Sequence, residues 1–253
     1  MTAVIQITQA SCRSIQTEVM QALCYHELMS WTIEQRWSHV LFVNWKVPAS
    51  DLQDQVPFPL DLHEGEAVLS LVPFFMDRIR FRGLPHIPVG SSLWEINLRT
   101  YVKVNGVPGI YFFTLETPHR FANWIARNFF NLPYRHATVN AEATGSEYLI
   151  AAQGHDARGE PYGLKIQATS ESESHSSDFQ RWITERYHLF LVNDGVTVRG
   201  DVSHEPWRVR SVRILSMDGG ISITPSLCPK EKLAPCFLAE PIRVRFEPFV
   251  KYS

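Results

Sequence analysis

What this sequence lacks narrows its function before anything it contains. It has no excess of either charge: 24 Lys and Arg against 26 Asp and Glu leave a formal net charge of −2. That balance gives no electrostatic basis for a nucleic-acid partner or an anionic membrane surface. Cysteine is scarce. Cys12, Cys24, Cys228 and Cys236 make no Cys-x-x-Cys pair, and the ten histidines are scattered outside metal-ligand spacing. No metal and no cofactor are expected, and the thiols read as reduced in a cytoplasmic protein. Long apolar runs are missing too. Windows such as Val40 to Val43 and Val68 to Met76 fall well short of the roughly 20 residues that span a bilayer. The first twenty residues lack the basic start and apolar run of a signal peptide. There is no Gly-x-Ser-x-Gly elbow, no P-loop, no Gly-x-Gly-x-x-Gly and no His-Glu-x-x-His.

What is present is aromatic and strand-like. Aromatics make up 12% of the 253 residues, with seven Trp, enough for a large aromatic core, a pocket or both. The segment Trp94 to Val104 alternates strictly. Glu95, Asn97, Arg99 and Tyr101 share one face, and Ile96, Leu98, Thr100 and Val102 the other. Asn105-Gly106 then signals a hairpin, with Val107 to Leu115 as its returning arm.

Upstream, Arg36 to Val47 reads as one strand and Ser50 to Val56 as a short helix capped by Ser50. Ala67 to Met76 reads as a strand interrupted at Pro73, and Asp77 to Ser92 as a loop. Thr117-Pro118 opens a helix with Phe121, Trp124, Ile125 and Phe129 on one stripe. Beyond it lie a meander from Ala137, a short helix from Asp178, a hairpin from Arg186 to Val202, and strands at Trp207 to Leu215 and Arg243 to Phe249. Ser216 to Glu240 reads as loop. About ten strands joined by tight turns must pair mostly antiparallel. The expected fold is mainly β with peripheral helices, a closed or nearly closed antiparallel barrel. Residues 1–30 read as an N-terminal appendage and 31–253 as a single domain.

Several segments taken together resemble a known family. They are Gln35-Arg36-Trp37-Ser38-His39-Val40-Leu41-Phe42, Glu95-x-Asn97-x-Arg99-x-Tyr101-Val102 and Gly109-Ile110-Tyr111-Phe112-Phe113-Thr114-Leu115. Ala126-Arg127-x-Phe129-x-Asn131-Leu132-Pro133-Tyr134-Arg135-His136-Ala137, Thr184-Glu185-Arg186-Tyr187 and His204-Glu205-Pro206-Trp207 complete the set. The resemblance is to DUF2071, the YqjF-like bacterial family. That family in turn is similar to the acetoacetate decarboxylase fold, which implies a cone-shaped antiparallel barrel around an internal cavity. The segment in the position of that fold's Schiff-base lysine here reads Ile125-Ala126-Arg127-Asn128-Phe129-Phe130, without a lysine. An arginine stays protonated and cannot act as that nucleophile. The resemblance therefore implies the barrel but not the decarboxylase mechanism. Of the six lysines, Lys103 alone continues the Glu95 face, beside the hairpin turn.

Three groups of side chains carry the candidate chemistry. Arg99, with Asn97 and Tyr101 beside it and Arg127 or Arg36 assisting, would clamp a carboxylate. Its counter-charge when empty is expected from another strand, with Glu185 one candidate. Tyr134 and His136 share a strand face near Arg127. Glu185 and Tyr187 face together if both lie on a strand, with His204 and Trp207 nearby. Glu95, His136 and Glu185 are the candidates for proton transfer. The expected function is a protein that holds a small anionic or carbonyl-bearing metabolite in an internal cavity. The alternative is a non-catalytic binder of an apolar or aromatic molecule, in which the arginines only close the structure. The expected partner is a small-molecule ligand, with no nucleic acid and no membrane; a homo-oligomer stays open.

Overall fold

The computed structural model describes residues 31–84, 92–118, 132–156, 159–171, 177–220 and 233–252. The expected appendage, the helix after Pro118 and Arg127 lie outside the described residues. Among the described residues fourteen strands join into one sheet. In chain order they are β1 Ile33–Ser38, β2 Val40–Val47, β3 Ala67–Phe81, β4 Leu93–Val104, β5 Val107–Thr117, β6 Tyr134–Thr144 and β7 Glu147–His155. There follow β8 Pro161–Ser170, β9 His188–Asn193, β10 Val196–Ser203, β11 Val209–Gly219, β12 Cys236–Ala239, β13 Ile242–Phe246 and β14 Val250–Lys251. Two short helices, α1 Ala49–Gln53 and α2 Asp178–Thr184, complete the described elements.

The sheet closes on itself twice. β1, β13, β10, β9, β5, β4 and β3 form one ring, because β1 pairs with both β13 and β3, and β5 meets β9 at Ile110 and Leu189. β3, β2, β12, β11, β8, β7, β6, β5 and β4 form a second, closed by a parallel pairing of Leu115 to Thr117 with Tyr134 to His136. The two rings share β3, β4 and β5. Both parallel junctions sit on β5, and neither was among the turn-linked antiparallel pairings expected from the sequence.

Each ring encloses its own core. Every strand of the seven-strand ring contributes to one apolar cluster: Trp37, Ile242, Val198, Leu189, Ile110, Tyr101 and Phe74, with Ile183 and Phe179 from α2. The nine-strand ring holds another, including Leu71, Ile96, Leu41, Leu238, Val212, Ile166, Ile150 and Val139. The strands that separate them are therefore buried on both faces, and β4 is apolar or polar by parity but buried throughout its middle.

Local chemistry explains most boundaries. The Arg36 to Val47 segment is two strands, not one, because His39 takes a positive φ of 53° and kinks the chain. α1 begins after Pro48 with no side-chain cap, so Ser50 is inside the helix and not its cap. β3 runs through Pro73, paired opposite Ile96, and on to Phe81, so the expected interruption and the start of the expected loop are both strand. The Asn105-Gly106 turn has φ of 49° and 81°, positive at both positions as a tight hairpin needs. Ser177 caps α2, its hydroxyl accepting from the Gln180 N–H at 3.0 Å. Within the expected loop from Ser216 to Glu240, β11 extends to Gly219 and β12 is a fully buried strand.

Candidate functional site

The polar face of β4 looks into the seven-strand ring. Glu95, Asn97, Arg99 and Tyr101 are 3%, 4%, 9% and 0% exposed, so none of them is a solvated sheet residue. Parity places them there, since Tyr101 belongs to the core of that ring while Ile96, Leu98 and Val102 belong to the other.

Arg99 is the unusual group. Its guanidinium carbon lies 5.2 Å from the Phe42 ring centre and 5.7 Å from that of Tyr101. Its Nε is buried without a hydrogen-bond partner, and among the described residues no carboxylate comes within ion-pair distance. The expected Glu185 partner is engaged elsewhere. Glu185 accepts from the Tyr187 hydroxyl and, at 3.2 Å, from the Trp207 backbone N–H. A buried cation without a counter-ion is costly, whereas ring faces give it only modest relief. Two positions along, Asn97 Oδ1 is also buried without a partner.

Around Arg99 the walls are aromatic. Phe42 meets Trp207 edge-on at 5.7 Å, and Trp207 lies 5.1 Å from the His204 ring. His204 in turn lies 4.7 Å from the Tyr187 ring. Glu185 and Tyr187 are not on a strand as expected. They occupy the link between α2 and β9, and it is the helix end that turns them towards each other. Burial, and then the Glu185 hydrogen bond, push the Tyr187 hydroxyl up to about 12. Burial lowers His204, with Arg99 acting in the same direction and the Glu205 carbonyl and Glu185 opposing it.

Tyr101 is anchored from behind. Its hydroxyl is 2.8 Å from Ser70 Oγ, which donates to Asn44 Oδ1 at 2.6 Å; Asn44 Nδ2 donates to the Pro235 carbonyl at 2.7 Å. Trp182 packs on the Tyr101 ring at 4.7 Å, and Arg186 lies 4.3 Å from the Trp182 ring while bonded to Asp61 at 2.6 Å.

A second polar pair sits at the other end of β4. The Tyr134 hydroxyl donates to Glu95 Oε2 at 2.7 Å, and burial pushes the Glu95 carboxyl up to about 8 against that bond. His136, two residues along the strand, is exposed. Arg36 is bound bidentately to Asp77 at 2.8 and 2.5 Å, on the opposite face of β1 from Trp37. It therefore does not assist Arg99.

Glu34, Glu116 and Asp156 are buried acids that sequence reasoning missed, and Glu116 is the deepest of the three. Glu116 is 0% exposed and faces the nine-strand core, accepting from the Tyr162 hydroxyl and from Thr114 Oγ1 at 3.0 Å. Burial raises its pKa. The β5 register shifts between Leu98 and Arg99, where Phe113 is the extra residue. That bulge reverses the parity of β5, and nothing in the run Tyr111 to Thr117 announces it. A depression of roughly 400 Å³ lined by Thr138, Asn140, Gln153, Lys165 and Asp218 carries none of the candidate residues. Of the described lysines, Lys103, Lys165 and Lys251 are exposed and Lys46 is bound to Glu64 at 2.7 Å, so none of these four offers a buried amine. No metal-ligand cluster occurs among the described residues, and no described helix is long and apolar enough to cross a membrane.

This ring-closed sheet defines the chain as a protein of acetoacetate decarboxylase-like fold. An acetoacetate decarboxylase-like enzyme from Sphingomonas wittichii RW1 superposes with a TM-score of 0.62 at 11% identity, covering 89% of this chain and 95% of that one. The enduracididine biosynthesis enzyme MppR, complexed with pyruvate, gives 0.60 at 11% identity over 88% and 90%. The acetoacetate decarboxylase of Legionella pneumophila gives 0.57 at 10% identity over 86% and 88%. In sequence, the chain belongs to the family DUF2071, described as an uncharacterized conserved protein, whose profile matches residues 34–241. It is 37% identical over 186 residues to the uncharacterized protein YqjF of Bacillus subtilis (strain 168), covering 72% of this chain and 76% of that protein.

Proposed function

We propose that the chain binds a small metabolite carrying a carboxylate or a carbonyl group inside the seven-strand ring, with Arg99 as the anchor. The observation that carries this reading is the state of Arg99. It is buried, its Nε has no hydrogen-bond partner, and no described carboxylate neutralises it. A ligand carboxylate would complete the guanidinium's fork and remove the cost of the unpaired charge. Asn97, the second orphaned polar group on the same face, would meet another polar atom of the ligand. The structural neighbour MppR is complexed with pyruvate, a molecule that carries both groups, which makes pyruvate the natural first probe. Chemistry through a Schiff base is not part of this reading, since the four described lysines supply no buried amine.

The test is a thermal-shift titration of the purified chain with pyruvate, using Arg99→Met as the control. Pyruvate should raise the melting temperature of the parent chain and leave Arg99→Met unmoved. Equal shifts in both, or none in either, would remove Arg99 from the role. A second reading draws on the ring walls of Phe42, Trp207, His204 and Tyr187. There the ligand is apolar or aromatic and not turned over. Indole would then stabilise parent and Arg99→Met alike.

A further inference from the structure

The chemistry of one imidazole goes beyond binding. His204 Nδ1 lies 2.8 Å from the Glu205 backbone oxygen. A carbonyl can only accept, so Nδ1 must carry the proton. In the neutral ring, Nε2 is then the atom with the free lone pair, and among the described residues it has no hydrogen-bond partner. The ring is held in place by Tyr187 at 4.7 Å and Trp207 at 5.1 Å. The residue is only half-buried. Burial keeps the imidazole in its neutral, basic form near neutral pH.

Its neighbours make the position useful. Phe42 meets the Trp207 ring edge-on and has the Arg99 guanidinium over its own ring. His204 and Arg99 are therefore joined through one ring pair, Trp207 and Phe42, and both Arg99 and Glu185 act on His204 through their charge. A site with a fixed cation, a neutral imidazole and a nearby carboxylate has what is needed to take a proton from carbon and hold the resulting oxyanion.

We propose that His204 is the proton acceptor of this site and that the chain enolises a small 2-oxo acid anchored by Arg99. The proposal rests on the anion-binding reading above. In the step, a C–H bond next to the ketone breaks and the proton goes to His204 Nε2. The electron pair forms the C=C bond of the enolate, and the negative charge on the former carbonyl oxygen faces the Arg99 guanidinium. Glu185 is a positioning residue: it stabilises the imidazolium formed and does not touch the substrate. Reversal returns a proton from Nε2 to carbon, so no oxidant, reductant or second substrate is consumed.

The reversal makes the step visible without any product. In D₂O the parent chain should exchange the methyl hydrogens of pyruvate, the smallest enolisable 2-oxo acid, followed as loss of the methyl signal by proton NMR. His204→Asn keeps an N–H able to reach the Glu205 carbonyl but has no base in place of Nε2. It should slow exchange by about a hundredfold, within the range for general-base removal, while its melting temperature and its pyruvate-induced shift stay at parent values. If pyruvate stabilises the parent chain yet its methyl group exchanges no faster than in buffer, the enolisation proposal fails and the binding reading stands. Exchange by His204→Asn at the parent rate equally overturns it. Absence of both stabilisation and exchange overturns both.

Discussion

The Tyr134 hydroxyl donates a 2.7 Å hydrogen bond to Oε2 of Glu95, joining β6 to β4 within the protein interior. Burial makes that carboxyl hard to ionise and raises it from 4.5 to about 8, while the bond from Tyr134 works the other way. The consequence for stability has a definite sign. Below pH 4.5 both folded and unfolded chains hold the proton, and the native state keeps its full advantage. Between 4.5 and about 8 the unfolded chain has released it and the folded chain has not, so stability falls as pH rises. Melting temperatures measured from pH 5 to 9 should therefore decline more steeply for the parent than for Glu95→Gln, which stays neutral throughout. Tyr134→Phe should cost about 1–3 kcal/mol by removing a buried partner. An identical pH slope in Glu95→Gln would show that the carboxyl ionises freely in the fold.

Arg99 allows its proposed binding role to be tested apart from stability. If the guanidinium is unpaired in the empty protein, replacing it by an apolar side chain of similar length removes a buried charge and adds packing. Arg99→Met should then fold and should gain about 1 kcal/mol, roughly 2–4 °C in Tm for a chain of this size. It should lose affinity for small carboxylates by roughly tenfold to a hundredfold, the worth of a charge-assisted hydrogen bond. If Arg99 instead held the ring closed, the same variant would melt many degrees lower, and that is the outcome the alternative function requires.

Sequence alternation exposed the polar face of β4 because that strand is regular. Its odd residues point into one ring from Leu93 to Tyr101 without a break, so the polar face could be read directly. Glu185 and Tyr187 were expected to face together only if both lay on a strand; they meet instead on the link before β9, and His204 and Trp207 reach them from the link after β10. What sequence pattern could not show was set by tertiary pairing. The parallel contacts of β5 with β6 and β9 join segments with no turn between them. The bulge at Phe113 turned Glu116 inward and hid a buried acid. His39 split one apolar run into two strands, each feeding a different ring. Arg36 lay beside Trp37 in sequence but on the opposite face, where Asp77 binds it.

The ion pair behind Tyr101 should be among the costly positions to disturb. Arg186 and Asp61 meet at 2.6 Å with side chains only 4% and 14% exposed, and Arg186 also donates to the Trp182 carbonyl at 2.5 Å. Removing one partner leaves the other charge buried, which costs about 3–5 kcal/mol. Asp61→Ala should show that loss in urea denaturation. Because Arg186 covers Trp182, which covers Tyr101, the same variant should also increase Trp solvent exposure, read as a red shift in fluorescence. A loss below about 1 kcal/mol would mean the pair is solvated like a surface bridge.

Ring closure at β5 and β9 depends on one small residue. Gly109 precedes Ile110, whose partner across the parallel junction is Leu189. A Cβ built on Gly109 would lie 2.6 Å from Phe190 Cε2 and 2.8 Å from the His188 carbonyl oxygen. Phe190 is fully buried against Phe58 and cannot swing away freely, and the carbonyl belongs to the backbone of β9 itself. Gly109→Ala should therefore push β9 off β5 and cost about 1–3 kcal/mol, as overpacking does in cores. The damage should be local. Amide exchange should quicken in β9 and β10 while β6 to β8, enclosed in the other ring, keep their protection. Glycines elsewhere give the contrast: at Gly163 an added Cβ meets nothing within 4 Å, so Gly163→Ala should leave exchange in β9 unchanged. Equal stability of the two variants would mean that the seven-strand ring tolerates opening at its narrowest pairing.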